Sequence, residues 1–341
     1  MKLGEVLILG SSLTDENMVY LKQLGVNYLT VGFLEIGSNE PKGTFPLSRL
    51  RESKYFETED LVALRKWVES HGLELSAIRN APLPRWEKII LGRPGRDEQI
   101  ENWNKSLRNM GKAGIPLMQY NLMINAGQWL PLWRTSAEDV GRGGARIVRF
   151  DYELARKAPA TSYGIISEDA MWDSVTYFLK AVIPVAEEAG VKMAIHPFDP
   201  QVPSLAGIAR VVRSIEAYDR VFKIMPGAAN CINFCLGCFA QMTDAEGVYQ
   251  TIRHFGEAGR IGFVHCRGVR GSREKFDEVF PDEGKLDMIQ AIKVLKEVGY
   301  NGIIQPDHAP HTIGDTEYGH ISHAFQIGYL KGILQGADAL D

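Results

Sequence analysis

The sequence predicts an α/β fold, a closed (β/α)8 (TIM) barrel. Eight short apolar runs alternate with eight helical patterns along the 341 residues. Such alternation is typical of a parallel sheet with crossover helices, and eight units are the number that closes into a barrel. No Gly-x-Gly-x-x-Gly follows the first run, which disfavours a doubly wound dinucleotide-binding sheet. We therefore expect a single barrel domain over residues 1–341, without a linker or domain boundary.

Each element follows from a local pattern. Apolar and β-branched runs predict strands over residues 6–10, 26–33, 73–78, 115–123, 191–197, 231–237, 260–268 and 301–308. Amphipathic patterns, most of which end at a glycine, predict helices over residues 14–25, 58–72, 96–114, 167–190, 204–218, 244–259, 286–299 and about 319–332. The order of these elements is the order that a barrel requires.

One connection is too long for an ordinary loop. Residues from about 124 to 166 separate the fourth strand from the fourth helix, and they include Trp129, Trp133 and Arg134. Because loops after barrel strands lie at the C-terminal face, we expect this insertion to cover that face as a lid. A disordered insertion is the alternative, and the two tryptophans favour a packed lid.

Composition and charge exclude several classes of protein. The chain has 38 Lys and Arg against 42 Asp and Glu, a net charge of −4, which predicts no nucleic-acid or anionic membrane surface. No apolar run is long enough to span a membrane, and the N-terminal run is interrupted by Glu5. Four cysteines are too few for a disulfide scaffold, so we expect reduced thiols and a cytoplasmic location.

Residues that bind transition metals follow four successive predicted strands. His196, Cys235, His265 and Asp307 stand at or near strand ends, each roughly one β–α unit from the next. The C-terminal ends of barrel strands meet at one rim, and all four side chains are competent metal ligands. We therefore predict a single metal site. The alternatives are histidines that are hydrogen-bonded in the core and a cysteine that is a small buried hydrophobe.

Cys238 and Cys266 have predicted roles other than metal binding. Cys235 and Cys238 form a C-x-x-C pair, which is also compatible with redox chemistry. The chain has no second C-x-x-C, so a four-cysteine zinc site is excluded. Cys266 follows His265 and is expected on the opposite face of its strand, as a structural residue.

Six segments of the chain resemble the mannonate dehydratase family of the xylose isomerase-like barrels. They are ENWNKSLRNMGKAGI (101–115), SEDAMW through HPFDP (167–200), CINFCLG (231–237), FVHCRGVRG (263–271), DEGKLDM (282–288) and GYNGIIQPDH (299–308). The resemblance covers most of the chain, and the order and spacing of the motifs make it specific.

This resemblance implies a cofactor and a reaction. The family binds a divalent metal, usually Mn2+, through residues at the positions of His196, Cys235, His265 and Asp307. Because a thiolate is a soft ligand, Fe2+, Co2+, Ni2+ or Zn2+ could compete. The family reaction removes water from D-mannonate, a small sugar acid, and gives 2-keto-3-deoxy-D-gluconate. A homo-oligomer is also possible, as for many barrels.

The implied chemistry suggests roles for individual residues. Removal of the C2 proton needs a base, and departure of the C3 hydroxyl needs an acid; His308 is the first candidate and Tyr318 the second. Arg267 could hold the substrate carboxylate. The alternatives are an orienting role for His308, packing for Tyr318 and an ion pair for Arg267. Further substrate-binding candidates are Asn121, Trp133, Arg134 and Arg85.

This chain departs from the family pattern at positions that are expected near the substrate. The chain has Pro84, Pro310, Ser322 and His323 at positions where the family pattern has other residues. A changed substrate would explain why the four metal-ligand positions match the family pattern while positions near the substrate differ. The candidates for a rebuilt substrate pocket are Arg79, Arg85, His311, His320 and His323. The alternative functions are a metal-dependent isomerase or epimerase of a keto sugar or uronate and, third, a non-catalytic sugar sensor.

Overall fold

A computed structural model describes residues 1–9, 11–33, 50, 53–81, 85–124 and 134–339. Its strands are β1 (Lys2–Ile8), β2 (Tyr28–Gly32), β3 (Glu74–Arg79), β4 (Leu117–Tyr120), β5 (Ser136–Val140), β6 (Arg146–Asp151), β7 (Lys192–Ile195), β8 (Ser204–Leu205), β9 (Ile208–Ala209), β10 (Asn230–Cys235), β11 (Ile261–Cys266), β12 (Gly268–Ser272), β13 (Lys275–Val279) and β14 (Ile303–Pro306). Eight of them form a closed parallel barrel in the order β1-β14-β11-β10-β7-β4-β3-β2. The predicted fold class is confirmed.

Helices surround the barrel. They are α1 (Asp15–Gln23), α2 (Thr58–Ser70), α3 (Glu87–Ile90), α4 (Arg96–Ala113), α5 (Tyr152–Ala155), α6 (Glu168–Ala189), α7 (Ile215–Ile224), α8 (Leu236–Met242), α9 (Ala245–Glu257), α10 (Met288–Glu297) and α11 (His320–Ala339). Side chains of Thr14, Ser167 and Ser214 accept hydrogen bonds from the first turns of the helices that follow them. Within the described ranges, no helix is long and apolar enough to cross a membrane.

The hydrophobic core lies between the barrel wall and this helix layer. In α6, Phe178, Leu179, Val182 and Ile183 are fully buried, which is the stripe that a period of 3.6 residues produces. The interior of the barrel is more polar toward its C-terminal end. There Thr30, Gln119 and Asn233 are buried and joined by hydrogen bonds.

The described part of the long insertion forms a second sheet. The strands β12, β13, β6 and β5 pair in that order, and neighbours are antiparallel. The insertion thereby joins the hairpin that follows β11. Its role as a lid stays a prediction, and the predicted contributions of Trp129 and Trp133 lie outside the described residues.

The helix predicted over residues 204–218 is wrong in its position. The observed helix α7 covers Ile215–Ile224, and residues 204–209 form the short hairpin β8–β9 instead. Ala206 and Gly207 have φ angles of 47° and 85°, which no helix contains, and Ser214 provides the true cap. Both faces of the segment before Ser214 are buried, so it carries closely spaced apolar residues. This spacing resembles the pattern of a buried helix, which is why a helix was predicted there.

Candidate active site

The four predicted metal ligands lie together at the C-terminal end of the barrel. His196 follows β7, Cys235 ends β10, His265 lies in β11 and Asp307 follows β14. One donor atom from each lies within 4.8 Å of the donor atoms of the others, and all four residues are buried. β7, β10, β11 and β14 are neighbours in the barrel, which explains why ligands far apart in sequence converge.

Hydrogen bonds orient both histidine rings of this cluster. Nδ1 of His196 lies 2.8 Å from the carbonyl oxygen of Pro197, to which it can donate. Nε2 of His265 lies 3.1 Å from Oε1 of Gln119. The opposite ring nitrogens, Nε2 of His196 and Nδ1 of His265, are buried and have no hydrogen-bond partner among the described residues. Each ring therefore presents a free nitrogen to the centre of the cluster, as a metal ligand does.

The protonation states of the cluster also suit a cation. Burial lowers the pKa of His265 to about 4, which keeps this ring neutral. Burial opposes ionisation of Cys235, but a hydrogen bond from Cys238 and the charge of Arg267 outweigh it and lower the pKa of this thiol well below its usual value. Sγ of Cys235 lies 3.8 Å from Oδ2 of Asp307, so two anionic groups face each other. Two neutral imidazoles, a thiolate and a carboxylate fit a divalent transition metal.

The cysteines form no disulfide. All four are free and buried. The backbone N–H of Cys238 points to Sγ of Cys235 at 3.5 Å, and Sγ of Cys238 accepts a hydrogen bond of 3.2 Å from Arg267. Cys235 thus belongs to the buried cluster of predicted metal ligands, which disfavours the redox alternative.

His308 is held by a buried carboxylate. Its Nδ1 lies 2.9 Å from Oε1 of Glu278, which can accept its proton in a hydrogen bond. The same Oε1 accepts a hydrogen bond of 2.6 Å from Nη1 of Arg267, which lies 2.8 Å from Nδ1 of His308. Its Nε2 is 3.8 Å from Oδ1 of Asp307, beside the cluster. Burial favours the neutral ring, but Asp307 and Glu278 raise the pKa of His308 above its ordinary value. The ring is thus held beside the cluster with Nε2 toward Asp307, and a role of His308 in proton transfer stays a prediction.

Two predicted substrate-binding arginines belong to a buried ion-pair network. Arg267 lies 2.8 Å from Asp199 and 2.6 Å from Glu278, and Arg134 pairs with the same two carboxylates at the same distances. These positive charges, with His308, lower the pKa of Glu278 to about 2 in spite of its burial. Arg267 thus forms ion pairs, which is the alternative to its predicted role in binding the substrate. Contact of either arginine with a substrate stays a prediction.

Tyr318 packs among aromatic rings. It is stacked on His323 with ring centroids 4.7 Å apart, and it meets Tyr20 and His320 edge-on. Its hydroxyl is buried and has no hydrogen-bond partner among the described residues, and burial raises the pKa of this phenol well above its usual value. This is the packing alternative, and a catalytic role for Tyr318 stays a prediction.

The other predicted binding residues lie in separate places. Asn121 follows β4 and donates a 3.2 Å hydrogen bond to Asn80, which follows β3 at the same rim. Arg85 is buried over the ring of Phe56, where burial lowers the pKa of its guanidinium to about 10. Trp133 lies outside the described residues.

A cavity of about 340 Å3 adjoins His308. His308, Glu278 and Arg134 line it on one side; its other lining residues include Pro310, His311, Tyr318, Ser322 and His323. Nδ1 of His323 lies 3.3 Å from the fully buried carboxylate of Glu5. Several positions at which the chain departs from the family pattern therefore share one cavity.

Glu278, Asp199 and Gln119 contact the site but are not predicted from the sequence. Glu278 lies in β13, within a stretch where no strand was predicted. Gln119 was counted only as part of an apolar run. A buried amide within such a run was the one available signal, because polar side chains inside a barrel need partners.

Comparison with known proteins agrees with this geometry. The model of the family described as D-mannonate dehydratase (UxuA) matches residues 46–162 and 153–341. The chain belongs to the D-mannonate dehydratase family. A mannonate dehydratase of Streptococcus agalactiae serotype III is 32% identical over 309 residues, which cover 81% of this chain and 86% of the relative. A mannonate dehydratase of Thermotoga maritima is 30% identical over 319 residues, with 83% and 86% covered.

Solved structures share the barrel fold of this chain. The crystal structure of mannonate dehydratase from Streptococcus suis serotype 2 has a TM-score of 0.78 and 26% identity, and covers 99% of this chain and 95% of that chain. D-psicose 3-epimerase from Clostridium cellulolyticum H10 has a TM-score of 0.60 but only 12% identity, and covers 98% of this chain and 99% of that chain. The epimerase shares the fold alone. The resemblance to dehydratases that the motifs indicated is confirmed.

Proposed function

We propose that this protein is a metal-dependent hydro-lyase that converts D-mannonate, or a closely related aldonate, into the 2-keto-3-deoxy acid and water. One observation carries the proposal: two buried histidines present unpartnered nitrogens to a buried cysteine and aspartate within 4.8 Å. Membership of the D-mannonate dehydratase family supplies the substrate class.

The reaction removes the proton on C2 and the hydroxyl on C3. The C2 proton is weakly acidic because it lies beside the carboxylate. A divalent cation held by His196, Cys235, His265 and Asp307 would stabilise the negative charge that develops on the substrate oxygens. His308 takes the C2 proton at Nε2, while Glu278 accepts from Nδ1 and keeps the ring in place. The protonated His308 then gives this proton to the departing C3 hydroxyl, which leaves as water. The enol product rearranges to the ketone.

We propose Mn2+ as the first metal to test. The carboxylate and imidazole ligands accept it, and the metals that prefer thiolate (Fe2+, Co2+, Ni2+ and Zn2+) are the alternatives. Metal analysis of the protein after purification without added metal would identify the ion that the site selects.

The experiment is turnover of D-mannonate by the manganese-loaded protein, with the 2-keto-3-deoxy acid followed by NMR. We expect steady formation of this product, and we expect His308→Asn to reduce kcat at least about 100-fold because general acid–base catalysis contributes that much. The variant should bind metal as well as the parent protein. Metal-loaded protein that leaves D-mannonate and related aldonates unchanged would contradict the proposal.

A further inference from the structure

Arg79 ends strand β3 at the mouth of the barrel. It is in register with Gly32 on one side and with Gln119 on the other. The side chain of Gln119 points into the barrel, because it contacts His265 and Asn233. Residues in register on neighbouring barrel strands face the same side, so Arg79 also points inward, at the level of the metal-ligand cluster.

The guanidinium of Arg79 has little to neutralise it. Among the described residues it forms one ion pair, a long one of 3.9 Å from Nη2 to Oδ1 of Asp307, and its side chain is 21% exposed. Arg134 and Arg267 differ, because both are fully buried and lie 2.6–2.8 Å from carboxylates. Among these three arginines, Arg79 is the one that an incoming anion can reach without breaking a short ion pair.

The charge of the cluster favours a cation that an anionic substrate can reach. Metal ligands bind in their deprotonated forms, so Cys235 and Asp307 contribute two negative charges and would formally neutralise a divalent ion. A neutral centre attracts an anionic substrate weakly. Arg267 and His308 also approach Asp307, at 3.7 and 3.8 Å, but both are paired with Glu278 at 2.6 and 2.9 Å. Arg79, next to Asp307, adds a positive charge that has no such short ion pair among the described residues.

We propose that Arg79 forms the anion subsite of this enzyme and binds the carboxylate of the sugar acid through its planar guanidinium. The inference rests on the proposed function for its substrate class and assigns the specificity for an acid over a neutral sugar to a residue of β3. An arginine presents two parallel N–H donors to a carboxylate, whereas a lysine presents a point charge, which predicts a graded effect of substitution.

A positioning role for Arg79 makes a different prediction. If the residue only holds Asp307, its removal weakens metal binding and leaves the affinity of the loaded site for a carboxylate unchanged. Metal content and substrate affinity must therefore be measured separately.

The test is titration calorimetry of the manganese-loaded protein with D-mannonate and with D-mannitol, its uncharged counterpart. All proteins carry His308→Asn to suppress turnover, and each titration is repeated with added Arg79→Gln, Arg79→Lys or Arg253→Gln. Arg253 pairs with Glu297 on the outer helices and is the matched control for loss of an arginine. Metal content is measured on every sample.

We expect Arg79→Gln to weaken D-mannonate binding about 10- to 100-fold and to leave D-mannitol binding and metal content unchanged. Arg79→Lys should recover part of the loss, and Arg253→Gln should have no effect. Equal D-mannonate affinity with and without Arg79, no preference for D-mannonate over D-mannitol, no D-mannonate binding at all, or loss of metal alone would each overturn the proposal. Absence of turnover by the parent protein would refute the dehydratase reaction, whereas Arg79-dependent binding of D-mannonate would still support the subsite.

Discussion

Single residues in this molecule are defined by partners far away in the chain. Glu5 of β1 is fully buried, and its carboxylate accepts a hydrogen bond from the backbone of Val6 and faces His323 of α11 at 3.3 Å. Burial favours the neutral form of His323, but Glu5, Asp315 and Asp307 outweigh this and raise its pKa. A residue at the N-terminus thus determines the charge of one near the C-terminus.

This pair predicts how stability depends on pH. Because the pKa of His323 is raised in the folded protein, its contribution is complete below the unfolded value of about 6.5 and is lost as pH rises through the folded value. We expect Glu5→Gln to cost about 1–3 kcal/mol at pH 6 and distinctly less at pH 9, measured by urea unfolding. His254→Asn, which removes an exposed pair with Asp219, is the control. An identical cost of Glu5→Gln at both pH values would refute the coupling.

At the scale of elements, close helix packing depends on one glycine. A Cβ atom at Gly111 of α4 would lie 2.2 Å from the backbone carbonyl oxygen of Ala189 at the end of α6. A backbone carbonyl cannot move aside as the end of a flexible side chain can. Helices α4 and α6 would therefore have to move apart. Gly111 belongs to the segment 101–115, which resembles the family. Its close contact with α6 explains why a glycine occupies this position.

We therefore expect Gly111→Ala to destabilise the fold by about 1–3 kcal/mol, in spite of the better helix propensity of alanine. Gly332→Ala is the matched control, since this glycine is exposed on α11 and a Cβ there meets nothing within 4 Å. That variant should gain up to about 1 kcal/mol from propensity. Chemical unfolding of both variants measures the difference, and a neutral Gly111→Ala would show that α4 and α6 can move apart freely.

At the scale of the whole molecule, barrel closure assembles the proposed metal site. Its four residues come from four strands, so a bound ion would cross-link distant parts of the chain in the native state only. Ligands that bind the native state stabilise it by mass action, by about 2–3 kcal/mol at a hundred times the dissociation constant. Removal of metal should accordingly lower the melting temperature.

We expect Cys235→Ala to lower metal content and to abolish the response of the melting temperature to Mn2+ and to a chelator. Cys266→Ala is the control, because Cys266 is buried one residue beyond His265 and is not one of the four clustered residues. Calorimetry and metal analysis of both variants measure the effect. A Cys235→Ala protein that binds metal and melts like its parent would show that the thiol is not a ligand. Assembly into a homo-oligomer stays a prediction.

The barrel and the convergence of the four clustered residues were predictable from the amino-acid sequence. Both follow from local patterns: alternating strand and helix periods predict the order of elements, and ligands at successive strand ends must converge when parallel strands close. The partners of the surrounding charged residues were not predictable, since they depend on the folded chain. Glu278 beside His308, Asp199 between two arginines and Arg79 beside Asp307 are contacts between residues distant in sequence. No local pattern encodes such contacts, because they depend on which side chains the closed barrel and the second sheet bring together.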